Sequence, residues 1–423
     1  MACVKNKVTG FFCLLANKKV VTAWSVFYVA FLCLLFVYSF SKDYFATNGG
    51  FADMFINYSG GFVRRGLLGQ LFLWCHHVGV DPVWTAAAMS LVSFVIVAIY
   101  MISQFRKRGY NLCILTVSWF LGGFGVYGLP SMRRDYIIMS VFLLVVWLWK
   151  KMSVGRWVVL ANVLVCFTIL CYEPYALFSI PFSILLTHLR WKSWVKSVAA
   201  WTLPVLVFLV CCKYSGGKEI YDAIVASTSE FLPAPGMINF LLRDSAEVMK
   251  YHIQCNFLSI AHGVPVVLLS LVSLSCLVYY SVNAIPVFSE NKTDFANRRY
   301  VLAFLMCAFV MLSPMFVCLS TDYGRTVIYI VLSSYFLFFA LGENERSALL
   351  PPFVYRMADS LLVLSDRYLR PTRCKVVFIM YFIGSAFWTG VAVGGFVNSS
   401  EIGHVAYYVL IAFKKIYLLA QAL

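Results

Sequence analysis

Apolar stretches recur along this chain, interrupted by short clusters of polar and charged residues. A helical crossing of a bilayer needs roughly 20 mostly apolar residues, and a scan with that template yields about eleven candidates, or 10–12 when the ends are counted differently. The pattern predicts an all-α, polytopic integral membrane protein built as one multi-span domain, 1–423.

The first stretch, Val21–Phe40, follows Lys5, Lys7, Lys18 and Lys19, which places the N-terminus on the cytoplasmic side. It reads as a signal anchor, because its core is too long for a secretory segment and no small-residue cleavage pattern follows. A first outer loop, 41–83, contains a juxtamembrane helix and leads to Trp84–Gln104, which ends inside at Arg106, Lys107 and Arg108. Leu112–Pro130 rises to an outer turn SMRRD, and Tyr136–Trp149 returns to Lys150, Lys151 and Arg156. Trp157–Cys171 and Ala176–Thr187 flank the outer turn YEPY. Both are short for a crossing, which predicts tilt, a kink at Pro174, or helices that outrun their apolar cores. Ser197–Cys212 rises into the long outer loop 213–256, which holds the breaker PAPG. Ala261–Phe288, Val301–Ser320 and Thr326–Leu341 continue the alternation into a basic cytoplasmic loop, 342–375. Val376–Phe396 rises again, and Val405–Leu423, with Lys414 and Lys415 inside it, either spans or lies in the interface.

Composition agrees with this pattern. The chain is 62% hydrophobic and 12% charged, far from the roughly half apolar and one-quarter charged content of soluble domains. Its 34 Lys and Arg against 18 Asp and Glu give a net charge of +16. Sorted by side, the inner segments hold 22 cations and six acids, whereas the outer segments hold ten cations and twelve acids. The basic excess is therefore a statement about orientation and requires no nucleic acid. Most of the 14 cysteines fall in apolar runs, as Cys33, Cys166 and Cys211 do, and behave there as small hydrophobes. No CxxC, P-loop or HExxH occurs, and no GxGxxG is placed in a βα unit.

The outward arginines are the charges that topology leaves unassigned. Arg64 and Arg65 lie in GGFVRRGLLG, Arg133 and Arg134 in GLPSMRRDYIIM, and Arg325 in STDYGRTVIYI. Each cluster precedes or begins an apolar run heading back toward the cytoplasm, and a cation at a helix N-terminus is disfavoured unless an anion compensates. One candidate anion is internal: Asp135, Asp322 and Glu173 lie close by in sequence or topology, and a salt-bridge network would be structural. The other is a ligand phosphate, which suits arginine's planar fork. Asp43 and Asp53 flank the loop after the first span, and either is a candidate for the same outer cavity. His252, in HIQCN, reads either as a solvated loop histidine or as a general base. Cys75, His76 and His77 are sequence neighbours that point to different helix faces, so no metal site is expected of them.

Many spans, a long outer loop and outward arginines beside acids resemble the layout of bacterial O-antigen and capsular polysaccharide polymerases, and more distantly O-antigen ligases and other type-C glycosyltransferases. FVRRGLLG, SMRRD and TDYGR look like motifs of polytopic proteins from surface-polysaccharide clusters. The resemblance covers nearly the whole chain as layout, and its motifs are short. It implies a type-C-like helical bundle in the bacterial inner membrane with an outward-facing cavity. There an undecaprenyl-pyrophosphate-linked glycan is transferred to a sugar hydroxyl without metal, cofactor or nucleotide sugar. Arg64, Arg65, Arg133, Arg134 and Arg325, with Asp322, would hold the pyrophosphate. Glu173 or Asp135, then His252, would take the acceptor proton. The histidine of the long loop matches the ligase pattern poorly. The implied partners are the lipid-linked glycan, membrane lipids and polysaccharide-assembly proteins. A polyprenyl-phosphate-sugar-dependent enzyme using Asp43 and Asp53 is the near alternative, and a lipid-linked oligosaccharide flippase is the alternative of another class.

Overall fold

The computed structural model describes residues 49–110, 134–254, 292–319 and 323–368, together with positions 23, 26, 30, 115, 279 and 282. Among the described residues the chain is helical, without strands. The expected spans Val21–Phe40, Leu112–Pro130, Ala261–Phe288, Val376–Phe396 and Val405–Leu423 lie outside them, apart from those isolated positions.

A helical turn at Gly49–Ala52 runs into a 3-10 turn at Asp53–Phe55, and α1 follows at Gly66–His77. Next come α2 (Pro82–Arg108), α3 (Asp135–Lys151), α4 (Val154–Cys171) and α5 (Ala176–Trp191). Then α6 (Trp194–Ala199), α7 (Thr202–Lys213) and α8 (Lys218–Thr228) lead through a 3-10 segment, Gly236–Leu242, to α9 (Ser245–Ile253). The last part comprises α10 (Lys292–Pro314), a π turn at Met315–Leu319, α11 (Tyr323–Ala340), α12 (Glu343–Leu349) and α13 (Pro352–Tyr368).

Among the described residues, three helices are long and apolar enough to cross a membrane: α2, α4 and the stretch Asp294–Leu319. A fourth candidate is α12 with α13, which form a pair bent by 103°. The ends of α2 follow from its sequence. Asp81 caps it by accepting from the Val83 and Trp84 N–H groups at 2.8 and 2.9 Å, Pro82 occupies the first turn, and Gly109 closes it at φ 71°. The two short stretches beside YEPY form helices that extend past their apolar cores, to Val154 in α4 and to Trp191 in α5. Pro174 sits in the 3-10 turn between them, not in a kinked helix.

The stretch expected as one span over Ser197–Cys212 is divided into α6 and α7. An unbroken helix would bond the Ala200 carbonyl to the N–H of residue 204, and that residue is a proline. The carbonyl instead accepts from the Asn162 side chain of α4 at 3.1 Å. Similar side-chain hydrogen bonds join other neighbours: Trp157 Nε1 donates to the Val145 carbonyl at 2.8 Å, and Trp201 Nε1 to Thr187 Oγ1 at 2.9 Å. Buried polar groups in an apolar bundle need such partners, and each one fixes a helix pair.

At the end of the bundle carrying the basic loops, several arginines do more than orient the chain. Arg108 reaches the Phe339 carbonyl at 3.4 Å, Arg346 the Phe338 carbonyl at 2.9 Å, and Arg190 the Trp149 carbonyl at 3.3 Å. Each cation serves the C-terminal turn of a neighbouring helix, where unpaired carbonyls concentrate negative charge.

Candidate functional site

The segment before α1, residues 55–65, is locked onto the bundle by close backbone approach. Gly66 and Gly69 lie three residues apart on one face of α1. A Cβ at Gly66 would stand 2.2 Å from the Tyr58 ring, and one at Gly69 only 2.0 Å from the Ile56 carbonyl oxygen. The GLLG spacing therefore lets α1 press against residues 55–58. Arg64 N–H donates to the Tyr214 carbonyl at 2.9 Å, tying the loop to the end of α7. Arg65 then adopts φ 67°, a left-handed conformation that costs a non-glycine residue of order 1 kcal/mol.

That turn delivers Arg65 to Glu173. Nε and Nη2 each donate to one carboxylate oxygen at 2.8 Å, a bidentate fork, and Arg64 Nη1 approaches the same group at 3.5 Å. Tyr172 lies 5.0 Å beneath the Arg65 guanidinium. Burial favours the neutral acid, yet the charges of Arg65 and Arg64 outweigh it and hold the Glu173 carboxyl at about 2. Burial also pulls the Arg64 pKa down, and Glu173 offsets this only in part. Arg64 is thus a cation whose charge is incompletely compensated.

These residues face a cavity of about 430 Å³, which Asp53 and His252 also line. The segment between α7 and the end of α9 supplies its roof through Met237, Phe240 and α9, and α7 contributes Phe208. Below Pro314 the helix switches to a π turn, which brings Cys318 and Leu319 to the wall. His252 is 9% exposed, so the long-loop position does not make it a solvated histidine. Its Nδ1 is buried without a hydrogen-bond partner. Burial, then the charges of Arg65, Arg64 and Arg243, push its pKa down to about 4, which leaves a neutral imidazole at pH 7.

The remaining sequence candidates separate. Arg134 is fully buried, outside the cavity wall, and bonded inward. It donates to the Cys171 carbonyl and to the Asp53 carbonyl at 2.6 Å, and forms an ion pair with the Asp53 carboxylate at 2.9 Å. The expectation that it grips a ligand phosphate gives way to a positioning role, because its Nη1 and Nη2 are turned to those groups and it is absent from the cavity wall. Asp135 accepts from the Tyr329 hydroxyl and is likewise absent from the wall, so it is poorly placed to take a substrate proton. Arg133 and Asp322 lie outside the described residues, as does the side chain of Arg325 in the first turn of α11.

Of the local trio Cys75, His76 and His77, His76 makes a side-chain contact with Glu230, Nε2 to Oε2 at 2.9 Å. No group of three or more His, Cys, Asp or Glu able to hold a metal occurs among the described residues. Sequence reasoning passed over Tyr172 and the apolar roof. The roof had one signal: Asp244 and Glu247 form a capping box that opens α9, readable as D-x-x-E. Comparison with protein-family models, curated proteins and solved structures found no match.

Proposed function

We propose that this chain is a membrane glycosyltransferase of about eleven spans. In this reading it polymerises or transfers an undecaprenyl-pyrophosphate-linked glycan at the outer face of the bacterial inner membrane. The observation that carries this reading is the single cavity in which Arg64, Arg65 and a neutral, buried His252 face an apolar wall of Phe208, Met237, Phe240 and Leu319. Such a wall suits a polyprenyl chain and the guanidinium groups its phosphates.

In this reading the acceptor hydroxyl attacks the donor's anomeric carbon while the bond from that carbon to the pyrophosphate oxygen breaks. The electron pair leaves on the pyrophosphate, where Arg64 and the outer nitrogens of Arg65 stabilise it. The sequence adds Arg133, Arg325 and Asp322 as further candidates for the phosphates. The hydroxyl proton passes to the His252 imidazole, a stronger base than Glu173. Glu173 is a weak base at about 2 and serves to aim the arginines. Asp53 lines the same cavity, and that placement favours the second reading, an enzyme using a polyprenyl-phosphate sugar. Its pairing with Arg134 weighs against the second reading.

Deletion of the gene followed by gel analysis of surface glycan tests the proposal. Loss of long chains with persistence of single repeat units is expected. Repeat units lacking one sugar would favour the polyprenyl-phosphate reading, and unchanged glycan would overturn both.

A further inference from the structure

The helix α13 carries two kinds of apolar surface. Tyr355, Ala358 and Leu362 are buried, with α13 packed on α10. A second stripe, Phe353, Met357, Leu361, Leu364 and Tyr368, recurs at helical spacing and is 45% to 63% exposed. The charges between these faces are sorted by sign. Asp366 forms a bidentate pair with the buried Arg298 of α10 at 2.7 and 2.8 Å, and Asp359 lies 3.7 Å from Arg299. Both acids are thereby turned toward the protein. Arg356 and Arg367 remain exposed at the border of the apolar stripe. Arg370, Arg373 and Lys375 follow in sequence.

We infer that α13 lies in the plane of the membrane interface, with its stripe among acyl chains and Arg356 and Arg367 holding anionic phospholipid headgroups. An exposed apolar face bordered by arginines, with its acids neutralised from the protein side, is complementary to an anionic lipid surface. The 103° bend after α12 permits that orientation, and the helix's four charged residues oppose burial of its whole circumference in hydrocarbon. Each arginine near such a surface favours anionic over neutral lipid on the order of five-fold.

The test places a tryptophan at the stripe in the full chain, Leu361→Trp, with Leu364→Trp as a second reporter. The protein is reconstituted in vesicles containing brominated phosphatidylglycerol or brominated phosphatidylcholine. Fluorescence of the added tryptophan, taken as the difference from the parent, should be quenched by both lipids and more strongly by phosphatidylglycerol. Combining Arg356→Gln and Arg367→Gln should abolish the preference while quenching by phosphatidylcholine persists. Equal quenching in the parent background would overturn headgroup recognition. No quenching at either position would show the stripe covered by protein, from this chain or another, and would overturn the inference entirely.

Discussion

Arg65 and Glu173, 108 residues apart in sequence, meet through two hydrogen bonds of 2.8 Å each. The fork joins the segment before α1 to the turn between α4 and α5 and thereby fixes two walls of the cavity against each other. Replacing Glu173 by Gln leaves two guanidinium groups without their carboxylate in a largely buried setting. A loss of about 3 kcal/mol is expected, the lower end for breaking a buried pair because Arg65 keeps some solvent contact. Thermal unfolding in detergent measures it, and an unchanged midpoint would show that the fork does not hold the walls.

Arg64 and Arg134 should respond differently to substitution. Arg64 lines the cavity with its charge incompletely compensated, whereas Arg134 is buried against Asp53 and two carbonyls. Arg64→Lys should keep the protein folded and reduce glycan transfer on the order of 100-fold. Arg134→Gln should lower stability by about 3–5 kcal/mol and lose activity as a consequence. Parallel measurements of melting temperature and product formation distinguish the two, and equal stability losses would contradict the assignment.

Acid should act on the fold in two stages. His252 has a folded-state pKa of about 4 against an ordinary 6.5, so the unfolded chain binds more protons between those values. Stability therefore falls as pH drops from 6.5 through 4. Glu173, held at about 2 against 4.5, adds a loss as pH falls from 4.5 through 2. His252→Gln should remove the first stage and leave the second, as thermal unfolding across pH will show. The acid limb of activity should lie near 4, and a limb near 6.5 would argue against a buried imidazole as base.

The two glycines of GLLG are not equivalent to other helix glycines. Gly69→Ala should abolish monodisperse protein on size exclusion, because its Cβ would meet the Ile56 carbonyl oxygen at 2.0 Å. Gly155→Ala, in open space at the start of α4, should be tolerated or slightly stabilising. Normal behaviour of Gly69→Ala would mean that α1 does not press against residues 55–58.

The helical architecture is legible in the apolar stretches, since α2, α3, α4 and α11 cover the stretches expected near them. The break between α6 and α7 was harder to read, because it depends on Pro204 together with a side chain from α4 that receives the released carbonyl. Arg64, Arg65 and Glu173 were legible as charges without a topological role, but their pairing crosses more than a hundred residues and no local pattern encodes it. His252 shows the limit most clearly. Its sequence neighbours, Tyr251 and Ile253, do not distinguish it, and it becomes a buried, neutral group only when α9 closes over the arginines. Arg134 and Asp135 illustrate the converse: one motif places them side by side, yet one turns to Asp53 and the other to Tyr329.

The most direct test of the proposed transfer is the chain-length profile of surface glycan in the deletion strain complemented with His252→Gln at parental membrane levels. The account predicts single repeat units without long chains, as in the uncomplemented strain. A parental ladder would contradict it.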